Sequence, residues 1–160
     1  MFQIGDKIFY PAQGGGIIQT IEEKDVLGET HLYYVVDILH RNMRVMIPID
    51  KAEQLGVRHI VDNQKLDSVL TNFHQGETDL SANDAQRQRK NSTKLKTGDI
   101  IEEVEVIRDL LRISNKRKLG MTDKNMLDHA RQILISEVVL VKGVPVEQAS
   151  DLLDQIMNAQ

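Results

Sequence analysis

The sequence contains no cysteine and no tryptophan, and only 4% of its residues are aromatic. The absence of cysteine excludes disulfides, thiolate metal sites and cysteine nucleophiles, and it is typical of a reducing compartment. No stretch approaches the roughly 18 apolar residues that span a bilayer, and the N-terminus lacks the pattern of a signal peptide. We therefore expect a soluble, cytoplasmic protein without membrane contact, whose core is built from Leu, Ile, Val and Met.

The first sixty residues have the pattern of a β domain. Short β-branched runs separated by glycine and asparagine turns predict strands over Lys7–Tyr10, 17–21, 31–39 and Met43–Pro48. Proline has no backbone N–H, so the strand that ends at Pro48 is expected at a sheet edge. The spacing favours a small, strongly bent sheet or barrel.

From residue 62 onward the apolar residues recur at helical spacing. The pattern predicts a helix over 63–73, a polar linker over 74–83, a basic helix over 84–95 and further helices to the end. Asp99 and Thr122 are candidate N-caps, and Gly143 is a candidate helix terminator. The sequence therefore predicts an α+β protein, with a β domain over 1–60 and a compact domain of four or five helices over 62–160.

The charge is unevenly distributed along an acidic chain whose net charge is −4. Residues 61–85 carry 1 basic and 5 acidic groups, whereas residues 86–118 carry 10 basic and 5 acidic groups. A basic segment in an acidic protein is typical of phosphate contact. The alternative is a solvated helix face. The second basic cluster, residues 116–118, is explained by capping of a helix C-terminus.

No catalytic or metal-binding pattern is visible. The five histidines form no metal-ligand spacing, and no nucleophile elbow is present. Glu102, Glu103 and Glu105 are expected on the exposed side of a helix, and the run 14–16 of three glycines is expected to form a turn. The sequence thus predicts a protein that is not an enzyme and uses no cofactor or metal; a small hydrolase is the weakest alternative.

The opening motif, Phe2-x-Ile4-Gly5-Asp6-x-Ile8-x-Tyr10-Pro11-x-x-Gly14, closely resembles the start of CarD-family transcription regulators. The resemblance continues in order through 33–35, 46–48, 56–58, 94–99, 106–110 and 130–134, and so covers nearly the whole chain. It implies a Tudor-like β domain, a module that also serves as the RNA polymerase-interacting domain of the transcription-repair coupling factor.

The resemblance implies docking on the RNA polymerase β subunit, in part by strand addition at a sheet edge. Matched by position, the polymerase-binding candidates are Lys24, Val36, Met46 and Pro48. For Val36 and Met46, packing in the core is the competing explanation.

The helical domain of the family contacts promoter DNA beside the melted region and stabilises the open complex. By position, the phosphate-facing candidates are Arg87, Arg89, Lys90 and Lys124, which would make weak, largely sequence-independent contacts. Many members have an apolar tryptophan wedge where this chain has Asp84. Asp84 and the acidic segment 61–85 favour an alternative, a polymerase-bound adaptor whose helices recruit another protein.

Overall fold

A computed structural model describes residues 1–159 as a β sheet followed by helices. The five strands β1 to β5 are all antiparallel to their neighbours and lie in the order β4-β3-β2-β1-β5. Their bounds are Lys7–Tyr10, Gly14–Val26, Glu29–Ile38, Met43–Pro48 and Arg58–His59. All four predicted strands are present, and the predicted α+β class is confirmed.

The hairpin of β2 and β3 is longer than the sequence predicts. β4 pairs with β3 only from Tyr33 to Ile38, so the outer part of the hairpin is a two-stranded ribbon. Residues 20–26 of β2, which include the β2 side of this ribbon, are all exposed, and residues 22–25 are charged, without the apolar alternation of a half-buried strand. The inner part, with Ile18, Val36 and Ile38, packs into the core of the sheet.

Five helices follow within the described residues. The helices α1 to α5 span Asn63–Thr71, Asp84–Lys96, Ile100–Lys116, Met121–Lys142 and Val146–Asn158. Their core is built around fully buried Leu66, Ile107, Leu110 and Leu134. The predicted helical domain 62–160 extends one residue beyond the described part of the chain.

The helix ends follow local sequence signals with one exception. The Asp99 side chain accepts a hydrogen bond from the Ile101 N–H and caps α3, as predicted. Gly143 ends α4 in the left-handed conformation, with φ of 65°. The prediction that Thr122 caps α4 is wrong: the N-cap is Gly120, which offers no side chain, and Thr122 lies inside the helix.

The prediction that Glu103 lies on the exposed side of α3 is wrong. Its side chain is buried, with 2% relative exposure, and faces the sheet and α4. Glu102 and Glu105 are only half-buried. A carboxylate is rarely buried without a partner, so the surroundings of Glu103 are an unusual site in this molecule.

Gly14, Gly15 and Gly16 are not a turn but the first residues of β2, on which α4 rests. A Cβ atom at Gly15 would lie 2.8 Å from Leu140 Cδ1 and 3.1 Å from the Ser136 carbonyl oxygen. The Gly15 N–H donates a 2.8 Å hydrogen bond to Ser136 Oγ. Glycine is therefore required here for close approach of a helix to a strand. The turn itself lies before it, at Ala12 (φ 67°).

Candidate functional site

The strand β4 forms one open edge of the sheet. It pairs with β3 alone, so alternate backbone N–H and C=O groups on its outer side have no strand partner in the described chain. Pro48 ends the strand, and the prediction of an edge position is confirmed. Such an edge can receive an added strand from another protein.

A cleft adjoins this edge. It has a volume of about 720 Å³ and lies between β3 and the segment that follows Pro48. Its lining includes Phe2, His31, Leu32, Tyr34 and Ile49. The Tyr34 hydroxyl accepts a hydrogen bond from the Phe2 N–H at 3.0 Å, which ties the N-terminus to the cleft wall. The lining also includes the polar residues Thr30, Asp50 and Glu53, so this cleft past the end of β4 offers pockets for both apolar and polar side chains of an added strand.

The structure places three of the four polymerase candidates around the edge. Met46 and Pro48 are half-buried and, two residues apart on β4, share one face. Lys24 is exposed on the ribbon and pairs with His31 of β3. Tyr33, two residues further along β3, pairs with Pro48 of the edge strand. Two residues correspond to about 7 Å along a strand.

Val36 is the exception among these candidates. Its side chain is completely buried in the sheet core, with 0% exposure. The competing explanation, core packing, therefore accounts for this residue, and its side chain has no surface to offer a partner.

The basic helix α2 begins at a well-defined cap. Asn83 Oδ1 accepts from the Gln86 N–H at 2.9 Å, and Gln86 Oε1 accepts from the Asn83 N–H at 3.2 Å. This capping box fixes the first turn of the helix. Arg89 and Lys90 are exposed in the following turn, and Lys124 is exposed in the first turn of α4.

Arg87 requires a correction, because we expected it to face phosphate. Its guanidinium is buried between α2 and α4, with 7% relative exposure for the residue. It binds Asp123 through Nη2 at 2.5 Å and Asp84 at 2.7 Å, and the hydrogen bond to Asp123 raises the pKa of Arg87. Two carboxylates compensate its charge, so Arg87 joins two helices rather than offering charge to a partner.

Asp84 links this cluster to the end of α3. Its carboxylate is exposed and lies 2.7 Å from Arg87 Nη2 and 3.5 Å from Arg117 Nη2. The hydrogen bond from Arg87 lowers the pKa of Asp84, as does the nearby charge of Arg117. Arg117 of the basic cluster 116–118 therefore approaches the start of α2. Sequence spacing gave no signal for this approach, since the two segments are about thirty residues apart.

Metal-ligand geometry is absent from the part of the chain that the structure describes, since no three His, Cys, Asp or Glu side chains are grouped suitably. His40 and His129 lie close, with ring centroids 5.8 Å apart. Burial, then the neighbouring His129 and Arg41, lower the pKa of His40. His129 also contacts the Ala12 carbonyl oxygen at 2.8 Å, so the pair belongs to the contact between α4 and the sheet.

Comparison with known proteins agrees with this arrangement. The CarD-like/TRCF RID domain family matches residues 2–61, and the family described as CarD, C-terminal domain matches residues 68–154. The chain belongs to the CarD family. The RID match fits the Tudor-like β domain, and the four polymerase candidates lie within it. The CarD C-terminal match contains Asp84 and the four DNA candidates.

The sequence of a known relative is similar to that of this protein along most of the chain. The protein is 43% identical over 148 residues to the Putative transcription factor YdeB of Bacillus subtilis (strain 168), across 92% of this chain and 97% of the relative. CarD-family membership places the chain among transcription factors. Among residues 1–159, no helix is sufficiently long and apolar to cross a membrane.

Proposed function

We propose that this CarD-family protein docks on the β subunit of RNA polymerase through the β4 edge and contacts promoter DNA through its basic helical surface. The open edge ending at Pro48, with the cleft beside it, carries the proposal. Strand addition supplies backbone hydrogen bonds, and the cleft supplies pockets for side chains of the added strand. Polymerase binding would place the protein in the cytoplasm.

The DNA part of the proposal rests on Arg89, Lys90 and Lys124. These side chains are exposed, and the Arg87–Asp123 pair holds the start of α2 against the start of α4, which carries Lys124. Phosphate contacts of this kind add affinity without sequence selection and weaken with salt. On a promoter they would modulate the stability of the open complex.

The docking step is tested by binding of the purified protein to the isolated β-subunit lobe. Met46→Glu places a charge on the edge and is expected to weaken binding about tenfold or more, equivalent to about 1.4 kcal/mol. Lys24→Glu tests whether Lys24 on the ribbon contributes to this binding. Lys65→Glu, which reverses an exposed lysine on α1, is the control and should bind normally. A wild-type protein that fails to bind polymerase or the lobe contradicts the proposal.

The DNA step is tested by the lifetime of open complexes with and without the protein. The wild type should change the lifetime, and the double variant Arg89→Glu/Lys90→Glu should lose that change while still binding polymerase. Lys124→Glu should reduce it, and Lys65→Glu should not.

A second function is an adaptor that joins polymerase to another protein. The exposed carboxylate of Asp84 favours it, because Asp84 lies beside Arg117 and so reduces the positive charge that this surface offers to DNA. Polymerase binding by the wild type, with no change in the promoter footprint, would support the adaptor over the DNA-contacting regulator.

A further inference from the structure

Two buried carboxyl groups lie near one arginine where the helices rest on the sheet. Glu137 of α4 has 0% exposure and Glu103 of α3 has 2%. Arg58 of β5 binds Glu137 with both terminal nitrogens, at 2.7 Å and 2.9 Å. The Val61 N–H donates to the same carboxylate at 2.9 Å. Glu137 is thus a fully satisfied carboxylate, and it joins the first residues after β5 to α4.

Arg58 has little capacity left for a second carboxylate. Its Nε donates to the Gly98 carbonyl oxygen at 2.7 Å, and Nη1 also donates to the His59 carbonyl oxygen at 3.0 Å. Its guanidinium carbon lies 4.5 Å from the centre of the Phe9 ring. One positive charge therefore balances one negative charge, that of Glu137.

Glu103 is the buried carboxyl group that Arg58 does not bind. Its Oε1 atom is buried and has no hydrogen-bond partner. Burial, then the charge of Glu137, raise the pKa of Glu103 well above its usual value; Asp99 adds to the rise, and Arg58 opposes it. From α2, Lys94 binds Glu105 at 3.4 Å. A neutral acid is the form of Glu103 that this site accommodates.

We propose that this joint between sheet and helices is a proton-controlled lock: neutral Glu103 leaves Arg58 to hold Glu137, and loss of the Glu103 proton loosens the helices from the sheet. An ionised Glu103 would place a second negative charge in a site with a single cation. Relief requires water to enter or Arg58 to be shared, and either change weakens the contact of β5 with α4. The lock concerns the two halves of this chain and does not depend on polymerase or DNA.

The direction of the pH effect follows from the raised pKa. The folded protein holds the Glu103 proton more tightly than the unfolded chain, so the contribution to stability is complete below the usual glutamate pKa. It is lost as pH rises through the raised pKa of the folded protein. The lock is therefore closed while Glu103 is protonated and opens as pH rises through the raised pKa of Glu103.

The first measurement is a titration of the Glu103 carboxyl carbon by NMR in the full chain, with the signal assigned from Glu103→Gln. We expect protonation to persist well above the pH at which exposed glutamates ionise. Ionisation in the usual range would overturn the proposal. A carboxyl that stays protonated up to the pH of unfolding would also overturn it, because pH could then never open the lock.

The second measurement follows the two halves directly. The chain has no cysteine, so Lys51→Cys and Gln148→Cys allow two spin labels to be placed on exposed sites, one in each half. The distance distribution of the wild type should be narrow while Glu103 is protonated and broaden as Glu103 ionises. Glu103→Gln should stay narrow throughout, and Glu137→Gln should be broad throughout.

Glu77→Gln, which neutralises an exposed carboxylate, is the matched control and should behave like the wild type. The same broadening in Glu103→Gln as in the wild type would overturn the proposal. An unchanged wild-type distribution after Glu103 has ionised would do so too. If Glu103→Gln does not fold, the Glu103 carboxyl signal is assigned through its bonded nuclei in the wild type, and the wild-type titration and distance distribution still decide between these outcomes.

Discussion

At the scale of single residues, burial separates the cations that hold the fold from those that a partner can reach. Arg87 and Arg89 are two positions apart on α2, yet one is buried between two carboxylates and the other is exposed. From the sequence, both are equally good candidates for phosphate contact, because they belong to one basic run. The structure distinguishes them because successive helical positions point about 100° apart.

The same substitution at these two positions should therefore change the free energy of unfolding by very different amounts. Arg87→Met leaves Asp123, which has 3% exposure, without its cation, and breaking a buried pair costs about 3–5 kcal/mol. Arg89→Met removes an exposed charge and should change the free energy of unfolding by less than about 0.5 kcal/mol. Urea unfolding measures both. Equal destabilisation by the two variants would show that Arg87 is not the structural member of the run.

Asp84 limits the positive charge available on the helical surface. Asp84→Asn removes the carboxylate shared by Arg87 and Arg117, so Arg117 becomes free to meet phosphate. We expect tighter DNA binding and a salt dependence steeper by about 0.9 in the logarithmic slope for one added contact. Asp128→Asn, which neutralises an exposed carboxylate of α4, is the control. An unchanged slope in Asp84→Asn would mean that Arg117 makes no phosphate contact.

At the scale of elements, the sequence predicted most strands and helices because their signals are local. The edge strand ending at Pro48 and the helix capped by Asp99 depend on neighbours a few residues away. The burial of Glu103 could not be predicted in this way. It depends on Arg58 and Glu137, which lie far along the chain in either direction and come together only in the fold.

The glycines of β2 were misassigned for a similar reason. Three glycines after a strand are typical of a turn, whereas here they make room for a helix from the far end of the chain. Of the candidate site, the sequence predicted the open edge and the exposed cations. It left Val36 open between a partner contact and core packing, and it did not predict that Arg87 is buried or that Arg117 reaches Asp84.

The contact of β2 with α4 should be sensitive to one added methyl group. In Gly15→Ala the new Cβ would lie 2.8 Å from Leu140 Cδ1 and 3.1 Å from the Ser136 carbonyl oxygen, so the Leu140 side chain and the facing turn of α4 must give way, and such overpacking costs about 1–3 kcal/mol. Thermal unfolding measures the loss. Leu140→Ala removes the nearest obstructing atom, and the double variant should lose less than the sum of the two single losses. Strict additivity would show that the helix does not approach the strand this closely.

At the scale of the whole molecule, the proposed docking edge and the joint with the helices lie at opposite ends of the sheet. β4 is one edge strand and β5, which carries Arg58, is the other. Three contacts fix the helices to the sheet. They are the Arg58–Glu137 ion pair, the hydrogen bond from the Gly15 N–H to Ser136 Oγ, and the contact of His129 Nε2 with the Ala12 carbonyl oxygen. A protein docked through β4 would thus hold its basic helices in one orientation relative to polymerase.

Loosening this joint should separate binding from regulation. Arg58→Met leaves Glu137 buried without its cation, while the β4 edge, Arg89 and Lys90 remain as they are. Affinity for the isolated β lobe and for DNA alone should therefore stay near wild type, whereas the effect on open-complex lifetime should fall. All three are measured at a temperature where the variant is folded. Arg58→Met/Glu137→Met replaces both partners by apolar side chains, which removes the unpaired charge and should restore part of the effect. A single variant that keeps the full wild-type effect would mean that the DNA contact does not require a fixed angle between the two halves.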